Sequence, residues 1–179
     1  MADEAGLARL TLVALAERLG VRQPSLYKHI RSTDGLRRSI ALRAKNELAD
    51  VLARATAGRA GDQAIMSMAH AYRAWALEHA GRYAAAQNTP APEDADDEVA
   101  SSNLMRVILD VIAGYQLREE DAVDAIRIMR AALHGFVTLE AEGHFGLPVD
   151  VERSFDRLVG SLTMVLSNWN EISLAARQV

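Results

Sequence analysis

The sequence predicts an all-α protein in which an N-terminal helix-turn-helix head is joined by a long helix to a larger helical domain. Three observations predict it. Ala, Leu, Arg and Glu, all good helix formers, dominate the 179 residues, and only four prolines interrupt them. Apolar residues recur at helical spacing, and no segment of useful length alternates as a strand does. Residues 10–34, LTLVALAERLGVRQPSLYKHIRSTD, read as two short amphipathic helices with a tight Gly-containing turn between them.

The elements follow in order. Ala2 to Ala5 read as a last helical turn with Gly6 as its C-cap. Thr11 is the N-cap of a helix from about Leu12 to Leu19, with Leu12, Leu15, Ala16 and Leu19 on one face. Ala16 is small enough for a second helix to cross closely. Gly20 tolerates the positive φ where the chain leaves the helix, and Val21 is expected to return to the core. The second helix opens at Arg22-Gln23-Pro24-Ser25, with Pro24 in the first turn, and runs to about Ile30. Ser32 or Thr33 caps a long connecting helix that ends near Ala57.

Asp62 is expected to cap a helix that ends near Gly81 and is apolar around much of its circumference. Arg82 to Ala86 add a short turn. Residues 87–98, QNTPAPEDADDE, are the most polar stretch and read as a surface loop or lid. Helices are then expected from about Val99 to Gly114, from Glu119 to about Glu142, and from Val151 to about Trp169, the last capped by Asp150.

Composition excludes several function classes. There is no cysteine, so disulfides and thiolate metal sites are excluded. The N-terminus lacks a basic region followed by an apolar run, and no apolar stretch reaches the ~18 residues that span a bilayer. A cytoplasmic protein with no membrane partner is the expectation. His70 and His79 lie nine apart, with no carboxylate pair on their face at metal spacing, so no metal and no cofactor are expected. GxSxG, HxxxH, phosphate-loop and dinucleotide motifs are absent, which argues against an enzyme.

Charge is divided unevenly. Residues 1–57 hold ten Lys/Arg and six Asp/Glu; residues 58–179 hold ten Lys/Arg and eighteen Asp/Glu. Eight basic residues (Arg18, Arg22, Lys28, Arg31, Arg37, Arg38, Arg43 and Lys45) fall within 18–45 against Asp34 alone. A basic head on an acidic body suggests that only the head meets a polyanion.

Leu12, Ala14-Leu15-Ala16, Leu19-Gly20-Val21, Leu26-Tyr27-Lys28-His29 and Asp34 give the head a close resemblance to the TetR family of transcriptional regulators. Ala132-Leu133-His134-Gly135-Phe136, Leu139-Glu140 and Gly143-His144-Phe145-Gly146 are similar to a family C-terminal domain of the WHG type, with a recurring His-Gly in its penultimate helix. The resemblance implies an all-helical homodimer in two parts: residues 1–45 as the DNA-binding head and 46–179 as the ligand-binding and dimerisation domain. It implies a repressor that binds palindromic half-sites of double-stranded operator DNA and is released by a small apolar or amphipathic effector.

Residues follow from that reading. Thr11, Arg22, Gln23, Ser25, Tyr27, Lys28, His29 and Thr33 are the DNA-binding candidates. Gln reads adenine and Arg reads guanine bidentately, whereas Tyr27 and Lys28 suit phosphates. Many relatives carry Lys where Thr33 stands; Arg31, Arg37 and Arg38 are the expected substitutes for that phosphate contact. Met66, Met68, Tyr72, Trp75, Leu104, Met105, Ile108, Met129 and Leu133 are the ligand-binding candidates, since Met and aromatic side chains line adaptable apolar pockets. His70, His79, His134 and Arg73 are candidates for polar points among them. Ile126, His134, Val151, Phe155, Leu158, Leu162, Val165 and Trp169 are the candidates for the dimer seam.

One departure stands out. The family opens with a full helix across the helix-turn-helix, of which MADEAG reads only as the tail, through truncation or a late start of the numbering. Leu12, Leu15 and Leu26 are then expected to be partly uncovered, at roughly 1.5–3 kcal/mol for each side chain left wet. A mobile head follows as an expectation. So does an alternative function: a dimeric small-molecule receptor with weak or no DNA binding.

Overall fold

A computed structural model of the chain describes residues 1–87, 93–117 and 119–171. The described residues are helical, in the order α1 (Ala2–Ala5), a 3-10 turn (Leu7–Arg9), α2 (Leu12–Leu19), α3 (Gln23–Leu26), α4 (Thr33–Thr56), α5 (Gly61–Glu78), α6 (Ala80–Ala86), α7 (Ala95–Ala113), α8 (Glu119–Ala141) and α9 (Val151–Ser167). They form two compact units. The first comprises Met1–Asp50 with Ala74–Leu104, and the second Val51–Arg73 with Met105–Val179.

In the first unit, local chemistry sets the turn of the head. Thr11 Oγ1 accepts from the Ala14 N–H at 3.1 Å and so starts α2. Gly20 ends it in the left-handed region at φ 66°. The Val21 N–H then donates to the Ala16 carbonyl at 3.0 Å, a Schellman-type closure that only a residue free at positive φ supports cheaply. Ser32 Oγ accepts from the Gly35 N–H at 3.0 Å and starts α4, so Thr33 is its first residue. The second helix is shorter than periodicity suggests: α3 is one turn, and residues 27–29 continue as a turn.

Leu10, Leu12 and Leu36 form the core of the head, with Met1, Leu7, Leu15, Ile30 and Ile40 packed against it. Leu12 and Leu26 are 5% and 7% exposed, so the expectation that they lie partly uncovered is not met, whereas Leu15 is half-buried. Met1 and Leu7 reach this core from a segment with no helical periodicity. Leu19 and Val21, expected inside, are 58% and 43% exposed.

The N-terminal segment is fastened to α6. Asp3 Oδ1 accepts from the Arg82 backbone N–H and Oδ2 from Arg82 Nε, both at 2.7 Å, while Arg82 Nη1 donates to Glu47 Oε2 at 2.5 Å. Burial raises the Asp3 pKa, but the Arg82 backbone N–H and guanidinium outweigh it and hold the carboxyl below its usual range.

Two sequence expectations shift here. Polarity suggests a loop through residue 98, yet α7 already begins at Ala95, and Asp96, Asp97 and Glu98 form its first turn. Acids there face the positive end of the helix. Residues 88–92 of the expected lid lie outside the described residues. Asp62, expected to cap α5, lies inside it and accepts from the Tyr115 hydroxyl at 2.6 Å instead.

In the second unit, Phe155, Val159, Leu162 and Leu166 of α9 are buried with Ala122, Ala125, Ile126, Met129, Leu133 and Val137 of α8. Asp150 starts α9 by accepting from the Glu152 N–H at 3.0 Å. Trp169 is buried with its indole N–H donating to Asp121 Oδ1 at 2.9 Å.

Candidate nucleic-acid interface

The head exposes polar side chains at the start of α2 and along α3 and the turn after it. Thr11 at the start of α2 is exposed, as are Arg22, Ser25, Tyr27, Lys28 and His29 on α3 and its following turn. Gln23 and Thr33 are half-buried. Gln23 Nε2 donates to the Tyr27 hydroxyl at 3.3 Å across one helical turn, which restrains both side chains before any partner arrives. Arg22 is the extended residue that opens α3. These residue types at one exposed helix start offer base-edge donors beside phosphate donors.

The basic run is less available than a count suggests. Arg18 is paired with Glu4, Arg43 with Glu47 at 2.7 Å, and Arg38 with Asp94 and Asp96 at 2.5 and 2.8 Å. Hydrogen bonds from Arg38 hold the Asp94 carboxyl down to about 2. Lys45 is buried against Asp97. Arg37 donates to the Leu7 carbonyl at 3.5 Å and lies 3.8 Å from Asp34. Among the described residues, Arg22, Lys28 and Arg31 have no carboxylate at ion-pair distance. Arg31 therefore stands free to replace the phosphate contact that a Lys at Thr33 would make, whereas Arg38 is already engaged.

Elsewhere the structure sorts the candidates. Phe155 is 0% exposed, and Ile126, Leu162 and Trp169 are also buried within the single chain. Their assignment to a dimer seam is corrected: a side chain already out of water has no apolar area left to offer a partner. Val151, Leu158, Val165 and His134 are half-buried. Of the ligand-binding candidates in the second unit, Met68, Met129 and Leu133 are buried and Tyr72 and Ile108 half-buried. Met66 and Met105 are exposed surface residues there, not interior ones. Trp75 is buried and Leu104 half-buried in the first unit. Arg73 is not a spare polar point, since Glu140 and Glu152 accept its guanidinium hydrogens. His79 Nδ1 lies 2.6 Å from Arg82 Nη2.

Comparison with known proteins places this arrangement. Residues 65–162 match the family of Tetracyclin repressor-like C-terminal domains. An uncharacterized HTH-type transcriptional regulator of Bacillus subtilis, YobS, is 35% identical over 86% of this chain and 80% of its own length. The chain belongs to the TetR family. This TetR-family chain is also 39% identical over 142 residues to Rv0681, an uncharacterized HTH-type transcriptional regulator of Mycobacterium tuberculosis; the match covers 79% of this chain and spans 65% of that protein. The crystal structure of SCO4313, described as a regulatory protein, superimposes with a TM-score of 0.73 at 28% identity, covering 90% of this chain and 88% of that one. Membership sets the chain among transcriptional regulators rather than enzymes. Among the described residues, no helix is long and apolar enough to cross a membrane.

Proposed function

We propose that this TetR-family chain is a ligand-responsive DNA-binding regulator: a cytoplasmic homodimer that represses by holding palindromic operator DNA and is released by a small apolar or amphipathic effector. Residues 1–45 serve as the DNA-binding head and 46–179 as the effector-binding and dimerisation part. The observation that carries the reading is the exposed set Arg22, Ser25, Tyr27, Lys28 and His29 at a capped helix-turn-helix. Arg22 and Gln23 read bases; Tyr27, Lys28 and Arg31 hold phosphates. Met68, Met129 and Leu133, with Tyr72 and Ile108, are the side chains an apolar effector meets.

The test is selection of a palindromic duplex from random sequence, then anisotropy across a salt series. Affinity is expected to fall linearly in log–log form as salt rises. Lys28→Ala should weaken binding for all sequences alike and reduce the salt slope by about 1, whereas Arg22→Ala should cost about 1–3 kcal/mol and relax the preference at one base pair. Failure to shift any duplex at low salt, with effector binding retained, would favour the receptor alternative. The burial of Leu12 and Leu26 speaks against that alternative.

Dimerisation draws its support from what α8 and α9 leave uncovered. Ile128 and Leu139 on α8 and Met164 on α9 are exposed, Met164 to 67%. A Cβ added at Gly135 or Gly160 meets nothing within 4 Å, so both glycines face space that a second copy can approach closely. Sedimentation at micromolar concentration should show a dimer. Met164→Glu should weaken it by about 3 kcal/mol, roughly 150-fold in Kd. A monomeric parent protein would refute the seam.

A further inference from the structure

The second unit brings together three groups that the regulator reading does not use. His70 of α5 faces Glu152 and Asp156 of α9. Its Nδ1 lies 3.6 Å from Glu152 Oε1 and its Nε2 3.2 Å from Asp156 Oδ1. One candidate ligand atom from each of the three lies within 4.8 Å of the others. Glu152 and Asp156 are one helical turn apart and so share a face. Phe155, between them in sequence, is fully buried, and its ring meets the His70 ring edge-on with centroids 5.3 Å apart. That contact fixes the imidazole against the helix that carries both carboxylates.

We propose that His70, Glu152 and Asp156 hold a divalent first-row transition-metal ion of the Zn2+ class. One imidazole nitrogen with two carboxylate oxygens is a ligand set that Zn2+ accepts, at about 2.0–2.2 Å. Ligand atoms around a tetrahedral ion at that distance stand roughly 3.3 Å apart. Ligand atoms that now lie within 4.8 Å of one another therefore close by up to about 1.5 Å on loading, which the 38%, 54% and 54% exposure of the three side chains permits. Water completes the coordination.

The surroundings suit an ion. Arg73 Nη1 donates to Glu152 Oε2, which leaves Oε1 turned toward His70. Arg73 is itself held by Glu140, through Nε at 2.7 Å and Nη2 at 2.6 Å. A carboxylate ligand gripped through its far oxygen is oriented before the metal arrives. Charge points the same way despite the guanidinium. The carboxylates of Glu140, Glu152 and Asp156 against Arg73 leave two negative charges when His70 is neutral, and a dication balances both. The competing use of these groups is a plain ion pair of protonated His70. That leaves one charge unbalanced and sets Nδ1 at a distance from Glu152 too long for a hydrogen bond. A bound ion clasps α5 to α9.

The experiment uses the full chain, stripped with EDTA and exchanged into clean buffer. Zn2+ is titrated by calorimetry, Co2+ is followed by its visible bands, and thermal unfolding is recorded with and without Zn2+. One ion per chain with a Kd tighter than roughly 100 µM, and a raised unfolding temperature, are expected. His70→Ala and Asp156→Asn should each weaken binding at least about ten-fold while their metal-free unfolding matches the parent. His144→Ala, which removes a surface His paired with Glu142 at 3.3 Å, should change nothing. Absence of saturable binding below about 1 mM overturns the proposal. So does binding that survives both His70→Ala and Asp156→Asn, or binding that is lost in His144→Ala.

Discussion

Asp97→Ala is expected to cost about 3–5 kcal/mol, the penalty for stranding one partner of a buried ion pair. Lys45 and Asp97 are each 4% exposed. Lys45 Nζ donates to both Asp97 carboxylate oxygens, at 2.8 and 2.6 Å, and to Ser101 Oγ at 3.1 Å. Ser101 Oγ in turn donates to Asp97 Oδ2 at 3.2 Å. The ammonium therefore has its partners in the folded chain, and removal of Asp97 leaves a cation with almost no water in reach. The expected loss is a large part of the ~5–15 kcal/mol that holds a typical domain. At this chain length it should lower the unfolding midpoint by roughly 6–20 °C. Lys45→Met should be similarly harmful, since it strands the carboxylate. The double variant Lys45→Met/Asp97→Leu should recover most of the loss, because it removes both desolvation penalties together. Urea unfolding of the four proteins closes the cycle. Independent, additive losses from the two single changes would show that the pair is not a unit. The pair ties α4, which continues from the helix-turn-helix, to the first turn of α7, so the two singles should also weaken operator binding.

That pair marks the boundary of what the sequence reveals. The turn of the head is local, and it is legible: Thr11, Ala16, Gly20 and Leu26 each do at their own position what their chemistry suggests. The pairing of Lys45 with Asp97 spans 52 residues, and no periodicity encodes it. Lys45 therefore reads as one more cation in a basic run, and Asp97 as one more acid in a polar loop. The same blindness explains Arg38, whose partners Asp94 and Asp96 lie in that stretch. Residue types at the candidate DNA edge are legible, but which cations remain free is a tertiary fact. Apolar spacing is equally mute about what a face meets. Phe155 and Met164 both belong to the apolar pattern of α9, yet the first is wholly interior and the second is the most exposed apolar residue of that helix. Metal-like spacing also escapes a search along one helix, since His70 stands on α5 and its carboxylates on α9. The brace of the head escaped for another reason. Met1 and Leu7 cover the head core from a one-turn helix and a 3-10 turn, each too short to show a period.

That brace depends on one missing side chain. A Cβ built at Gly81 would stand 2.0 Å from the Ala2 carbonyl oxygen, 2.2 Å from its carbonyl carbon and 2.7 Å from the Asp3 nitrogen. All three are backbone atoms, so no rotamer change relieves the overlap. Gly81→Val is therefore expected to lift α1 from α6 and to cost about 1–3 kcal/mol. The usual helix-propensity gain on replacing Gly, about 0.5–1 kcal/mol for Ala and less for a β-branched residue, does not offset that. Lifting α1 also breaks the Asp3–Arg82 bonds and pulls Met1 from the core of Leu10, Leu12 and Leu36. Hydrogen exchange should show the Ala5 and Gly6 amides, which donate to Met1 and Ala2 carbonyls at 2.9 Å, losing protection first. Operator affinity should fall with them, because α2 loses part of its cover. Asp3→Asn provides the comparison: it weakens the ion pair without adding bulk, so its effect should be smaller and should leave α1 in place. If Gly81→Val matches the parent in unfolding midpoint and in the exchange of these amides, the close approach of α1 to α6 is not what braces the head. If it matches Asp3→Asn instead, the electrostatic contact rather than the steric fit holds α1 down.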